Sequence, residues 1–219
     1  MLEILAHRGW WKRRDEQNEI VAFERAFEAG YGVETDVRDL NGVLVISHDM
    51  AKEGGLTLDQ MLDIHRAFGR PGVLALNVKC DGLCAPLVEA ISRSKVERYF
   101  VFDMSVPDTL PYLRAGAEFY TRRSEYEAGS PLDDKASGIW WDCFSGEGEE
   151  SLVSSALIER RPSAFVSPEL HRRSHAEVWQ AWKRALVAGD GAFPVQLCTD
   201  FPDVADVYFN AKTQVAAAI

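Results

Sequence analysis

ILAHRGWWKRRDEQNEIVAFERAFEAGYGVETDV, residues 4–37, reads as a complete strand–helix–strand unit. Ile4-Leu5-Ala6 is an apolar run of strand length. Ile20, Val21, Phe23, Ala26 and Phe27 then recur at helical spacing, which predicts a helix to Ala29 with Asn18 as N-cap and Gly30 as stop. Gly32 to Val37 is the next strand. Immediately beyond it, Asp39-Leu40-Asn41-Gly42-Val43 carries an Asn-Gly hairpin turn, and Val43 to Ser47 returns as an antiparallel strand.

The rest of the chain repeats the alternation. Thr57 with Gln60 forms a capping box for a helix to Phe68, and Ser174 with Glu177 predicts another for a helix to Ala188. Setting the hairpin return aside, strands begin near residues 4, 32, 73, 99, 117, 138, 164 and 194, mostly separated by helices. The fifth is placed at Ala117 to Thr121. This pattern predicts an α/β fold over residues 1–219: a single (β/α)8 TIM-type barrel domain with a β-hairpin after the second strand. With 219 residues the loops are short and no inserted cap domain fits. A doubly wound open sheet lacks support, because no glycine-rich fingerprint follows the first strand.

Hydrophobic residues make up 47% and charged residues 26%, as in a soluble globular protein. The formal net charge of -10 argues against nucleic acid or an anionic membrane as partner. A small anionic substrate is compatible with that charge if cations or a metal reverse the field locally. Cys80, Cys84, Cys143 and Cys198 are too few for a disulfide scaffold and read as buried free thiols. No apolar run reaches spanning length, so no stable membrane insertion is expected, and the chain opens directly on a strand. Cytoplasmic location is the resulting expectation. The sequence assigns no oligomeric state.

Three motifs sit where apolar runs end: His7-Arg8-Gly9, Glu34-Thr35-Asp36 and His48-Asp49. Strand ends are where such folds display chemistry. Glu34 and Asp36 lie two apart on a strand and so share a face. If that face is the barrel interior, the two carboxylates repel and suit a hard divalent cation such as Mg2+ or Ca2+. If it is the outer face, Val33, Thr35 and Val37 point in; periodicity allows both. His7 and His48 titrate near neutral pH, so one can take a proton while the other gives one. Arg8 offers a planar fork for a phosphate, and Gly9 lets backbone approach closely.

The order of His7-Arg8-Gly9, Asn18, Ala22-Phe23, Ala26, Gly32-Val33-Glu34-Thr35-Asp36-Val37, Val45-Ile46-Ser47-His48-Asp49 and Cys198-Thr199-Asp200-Phe201-Pro202-Asp203 resembles the glycerophosphodiester phosphodiesterase family. The resemblance implies a TIM-type barrel that cleaves a small phosphodiester with a divalent metal ion. It implies His7 and His48 as the catalytic acid–base pair, Glu34 and Asp36 as metal ligands, and Arg8 and Lys79 on phosphate oxygens. The implied products are an alcohol and a phosphomonoester such as glycerol 3-phosphate.

The chain departs from the family in three places. Asn77 stands where the family has a glutamate two residues before the strand lysine, so an uncharged amide would replace a metal-binding carboxylate. The Asn77 amide oxygen can still ligate the ion, more weakly, and Asp81, with the parity of Asn77 and Lys79, is the other expected ligand, directly or through water. Glu16-Gln17-Asn18-Glu19 replaces a stretch that usually carries another acid, and the cap insertion is missing, which opens the site. Headgroup selection then falls to barrel loops. Trp140 and Trp141 beside Asp142, and Glu169 with His171, are the candidates, with Trp141 and Glu169 joining Arg8 and Lys79 as expected substrate-binding residues. Ordinary packing is the competing role for the tryptophans, and helix capping for Glu169. Trp10 and Trp11 are candidate substrate walls, and His65 and His175 are expected at the surface.

Overall fold

A computed structural model describes residues 2–211. Its strands are β1 (Glu3–His7), β2 (Gly32–Leu40), β3 (Val43–Ile46), β4 (Leu74–Val78), β5 (Tyr99–Phe102), β6 (Tyr120–Arg123), β7 (Gly138–Trp141), β8 (Ser163–Val166) and β9 (Val195–Thr199). The helices between and after them are α1 (Ile20–Glu28), α2 (Leu58–Ala67), α3 (Cys84–Arg93), α4 (Val106–Ala115), α5 (Leu152–Glu159), α6 (Ala176–Ala188) and α7 (Pro202–Asn210).

Hydrogen-bonded neighbours follow the order β5-β4-β2-β1-β9-β8-β7-β6, all parallel, with β3 antiparallel on the outer half of β2. The ends of that row meet through the parallel bridge Val101–Phe119 and the Val101 N–H bond to Glu118 O at 2.9 Å. Eight parallel strands thus close into a barrel. The seam explains why β6 starts at Tyr120 rather than Ala117: Ala117 follows the left-handed Gly116 that ends α4, and pairing with Gly138 begins only at Tyr120.

Strand alternation sorts the core. Leu5, Ala75, Phe100, Phe102, Tyr120, Trp140, Ala164, Val166 and Cys198 fill the lumen. Phe100 stacks on Tyr120 at 3.8 Å and Phe102 on Trp140 at 4.0 Å, an aromatic plug on the β5–β7 side. The opposite faces pack against the helices in two clusters, one around Phe23, Phe27, Met61 and Leu87 and one around Trp141, Phe165, Trp179 and Trp182. Each such large side chain contributes roughly 1.5–3 kcal/mol by leaving water.

Three local expectations are corrected. Asn18 has φ 61 and cannot be an N-cap, which needs extended backbone; Glu19, at φ -106 and ψ 158, takes that position. The Ser174–Glu177 box is not formed, because α6 starts one residue later from His175, itself in αR. His65 is buried rather than exposed, with Nε2 3.1 Å from Pro71 O and its ring against Phe27. By contrast, the Thr57–Gln60 capping box is complete, and all four cysteines are free.

Candidate active site

The C-terminal ends of the parallel strands carry the polar residues of the lumen. Register places His7 beside Glu34 and Asp36 beside Asn77. Because Leu5 and Ala75 point into the barrel, His7, Glu34, Asp36 and Asn77 do too. Val33 and Val37 pack in the helix-facing core, so the Glu34–Asp36 face is the lumen face, a choice that periodicity left open.

His7 is held by a residue from the far end of the chain. Its Nδ1 lies 2.6 Å from Asp200 Oδ1, and its Nε2 faces Glu34 Oε2 at 3.9 Å. Burial works against a charge on this ring, yet the hydrogen bond to Asp200 and the fields of Glu34 and Asp200 outweigh it and raise the pKa. Burial and the neighbouring Asp36 push Glu34 up to about 7. Asp36 is the hub of the site. Arg8 Nε lies 3.1 Å from its Oδ2, Asn18 Nδ2 donates to the same oxygen at 2.9 Å, and Lys79 Nζ lies 3.3 Å from Oδ1. Asn18 Oδ1 also accepts from Thr35 Oγ1 at 2.8 Å. The left-handed backbone of Arg8, Gly9 and Asn18 makes this approach sterically accessible. At Gly9 a Cβ would sit 2.8 Å from the Ala22 carbonyl carbon, so only glycine allows the loop to lie on α1.

His48 stands at the rim. It is exposed, its Nδ1 lies 3.0 Å from Asp49 Oδ1, and its carbonyl accepts from Arg38. A cleft of about 490 Å³ joins it to Arg8 and Asn18. The same fold that gathers these residues sends others elsewhere. Asp81 is exposed and accepts Ser105 Oγ at 3.0 Å ahead of α4, so it does not replace a metal-binding acid. Its parity fails because β4 ends at Val78 and the chain turns through Gly82 at φ 89. Trp141 points outward, donating Nε1 to Ser163 Oγ at 3.1 Å in the helix-facing core, and is no substrate wall. Glu169 is engaged by Ser167, Thr199 Oγ1 and the Asp200 N–H, so it fixes Asp200 rather than a ligand. Trp11 donates to the His7 carbonyl at 3.1 Å, and Trp10 packs on Tyr31.

Asp103 and the Asp142–His171 pair complete the mouth. Asp103, just past β5, has φ 69, a conformation Asp tolerates better than most. That turn aims it at Lys79, 4.0 Å away, and at Arg122 Nη1, 3.3 Å away. Burial raises its pKa against the pull of Arg122 and Lys79. Asp142 pairs with His171 Nε2 at 2.6 Å. Asp200 was legible within the last-strand motif and Asp142 as the acid beside Trp140, neither with its histidine partner; Asp103 was not singled out, because it follows Phe102 and by alternation should face the helices.

Among the described residues no three His, Cys, Asp or Glu side chains converge as a metal-binding group. Yet Glu34 Oε2 and Asn77 Oδ1 are buried without a hydrogen-bond partner. Together with Asp36 they form an oxygen set that suits a hard divalent cation, at lower donor charge than three carboxylates.

No family model and no curated protein sequence matches this chain. Its fold does match solved structures. A glycerophosphodiester phosphodiesterase from Parabacteroides distasonis aligns over 94% of this chain and 95% of its own, with TM-score 0.70 and 20% identity. A phosphodiesterase from Oleispira antarctica, solved with the product sn-glycerol-3-phosphate, aligns over 95% and 96% with TM-score 0.68 and 16% identity. A Ca2+-dependent phosphatidylinositol-specific phospholipase C from Streptomyces antibioticus aligns over 94% and 95% with TM-score 0.54 and 12% identity. The chain shares the barrel architecture of these enzymes. No described helix is long and apolar enough to cross a membrane.

Proposed function

We propose that this protein is a phosphoric diester hydrolase that cleaves a small glycerophosphodiester to an alcohol and a phosphomonoester. The observation that carries the proposal is the His7–Asp200 pair facing Glu34 at the mouth, beside two cations that converge on Asp36. The likeness to barrels that include a glycerol-3-phosphate complex supports the same reading.

Asp200 takes His7 Nδ1 and leaves Nε2 to work on the lumen side. Nε2 accepts the proton of the attacking hydroxyl as its oxygen bonds to phosphorus. Water gives the phosphomonoester directly, whereas a neighbouring substrate hydroxyl gives a cyclic phosphodiester that water then opens, the two histidines exchanging roles. Asp200 stabilises the resulting imidazolium. Arg8 and Lys79, poised on Asp36, shift to the phosphoryl oxygens and oppose their growing charge. His48, at the rim of the Arg8 cleft, gives a proton to the departing alcohol. Glu34, Asp36 and Asn77 would hold a divalent ion, Mg2+ or Ca2+, which when bound supplies further charge neutralisation at those oxygens.

The test is hydrolysis of a chromogenic phosphodiester and of glycerophosphodiesters, with Mg2+, Ca2+, Mn2+ or chelator. Turnover that falls with chelator and at least a hundredfold with His7→Ala is expected. Tight phosphate binding without turnover under any metal would instead make the barrel a binding protein.

A further inference from the structure

Beside the phosphate-holding cations the barrel opens into a second crevice, of about 310 Å³, between the ends of β5 and β6, the start of α4 and the loop over 126–132. Asp103 and Arg122 stand where it meets Lys79. Resting on the phosphodiesterase reading above, we propose that this crevice binds the alcohol arm of the substrate, and that it selects a polyhydroxylated arm.

Four observations point there. The first is contiguity: Lys79 touches both Asp36 and Asp103, so a phosphate taken by Lys79 lies at the entrance. The lumen of an eight-stranded barrel is only wide enough for side chains, which leaves one short step between the two. The second is an unfilled polar surface. Thr121, 8% exposed, leaves Oγ1 with no hydrogen-bond partner, and buried Asp103 Oδ1 meets Arg122 Nη1 at 3.3 Å without a formed hydrogen bond. Third, Asp103 is held at φ 69, a costly conformation that persists where surrounding structure enforces it and that clusters at ligand sites. Fourth, the outer wall carries Tyr126, which is 78% exposed although it is a large aromatic residue.

The chemistry of the lining chooses among headgroups. A carboxylate that accepts and a guanidinium that donates, 3.3 Å apart, can bridge vicinal hydroxyls, each of which both gives and takes a hydrogen bond. An aromatic face beside them covers the C–H side of a polyol. A quaternary ammonium arm would find Tyr126 and the carboxylates of Asp103 and Glu127, but Arg122 sits between those two acids and repels it. An apolar acyl arm would leave Thr121 Oγ1 unpartnered and take water from the Asp103–Arg122 pair.

The experiment compares kcat/KM for three esters of glycerol 3-phosphate that share the reacting phosphate: glycerol, choline and methyl arms. For the wild-type protein the glycerol ester should exceed the methyl ester at least tenfold and the choline ester as well. Asp103→Asn, which keeps the left-handed backbone that Asn tolerates, should cut the glycerol-to-methyl ratio at least fivefold. Tyr126→Ala, an exposed substitution that spares the fold, should lower the same ratio in KM more than in kcat. Equal losses on all three esters would place Asp103 on the phosphate and overturn the proposal, as would a choline or methyl preference. Isothermal titration separates this outcome from failure of the hydrolase reading. If no ester turns over, the affinity of the glycerol ester relative to the methyl ester should still fall in Asp103→Asn; an unchanged ratio would remove the crevice as a polyol site.

Discussion

Replacing Asp200 by Asn removes one charge and almost no volume, at the contact on which the proposed chemistry depends. Asp200 Oδ1 lies 2.6 Å from His7 Nδ1, and the two side chains are only 17% and 15% exposed. Little water is present to substitute for the lost carboxylate. A hydrogen bond to a charged group contributes roughly 1.5–3 kcal/mol, and about 1.36 kcal/mol corresponds to tenfold in rate. The expected loss in kcat/KM is therefore roughly ten- to 150-fold.

The sign of the pH effect follows from the same contact. Burial lowers the His7 pKa, and the Asp200 bond with the Glu34 and Asp200 fields raises it to a net increase. Without the Asp200 charge the pKa falls, so the acid limb of the pH–rate profile, where the base must be neutral, moves to lower pH. Stability moves oppositely with pH. A histidine whose folded pKa exceeds its unfolded value contributes fully below about pH 6.5 and loses that contribution as pH rises through the folded value. The melting-temperature deficit of Asp200→Asn should thus be larger near about pH 5.5 than near about pH 9. Steady-state kinetics from about pH 5 to 9 and thermal unfolding at both ends check this. A variant that keeps more than about a third of wild-type kcat/KM, with the acid limb unmoved, would refute the role given to His7 and Asp200.

Three further outcomes follow from the site. Glu34, raised from 4.5 to about 7, favours folding when protonated, and that contribution is lost as pH rises between these values. With chelator present, Glu34→Gln should therefore gain stability over wild type in urea unfolding as pH rises from about 5 to 8; parallel curves would show that Glu34 is not strained. Asn77→Glu should tighten Ca2+ or Mg2+ binding by about tenfold or more in isothermal titration, and unchanged affinity would take position 77 out of the oxygen set. Trp141→Phe, which loses the Nε1 bond to Ser163, should cost about 1 kcal/mol in unfolding free energy, while kcat/KM stays within about twofold because the ring faces the helices. A larger kinetic than thermal effect would return Trp141 to the substrate side.

Local signals were readable where backbone chemistry is local. Gly30 beyond α1 and the Thr57–Gln60 box have the same partners in isolation as in the fold. The lumen face of β2 was half-legible: alternation joined Glu34 to Asp36 but could not choose a side, because Val33, Thr35 and Val37 are equally suited to packing. The placing of β2 between β1 and β4, with Val33 and Val37 against the helices, made the choice. Asp81 was misplaced because parity was carried past the end of β4, and Trp141 because an aromatic beside an acid reads the same whether it lines a lumen or a helix layer.

By itself the sequence determined the alternation of strands and helices, hence the barrel, and the identity of the groups that end its first strands. Those are properties of short segments: apolar periodicity, caps and turns. Only the tertiary structure decided that Asp200 supports His7 across 193 positions of chain. Pairing of β4 with β2 likewise brought Lys79 to Asp36, and a left-handed residue after β5 turned Asp103 towards both cations. Such contacts depend on strand order and register around a closed ring, and neither is encoded in the spacing of any one motif.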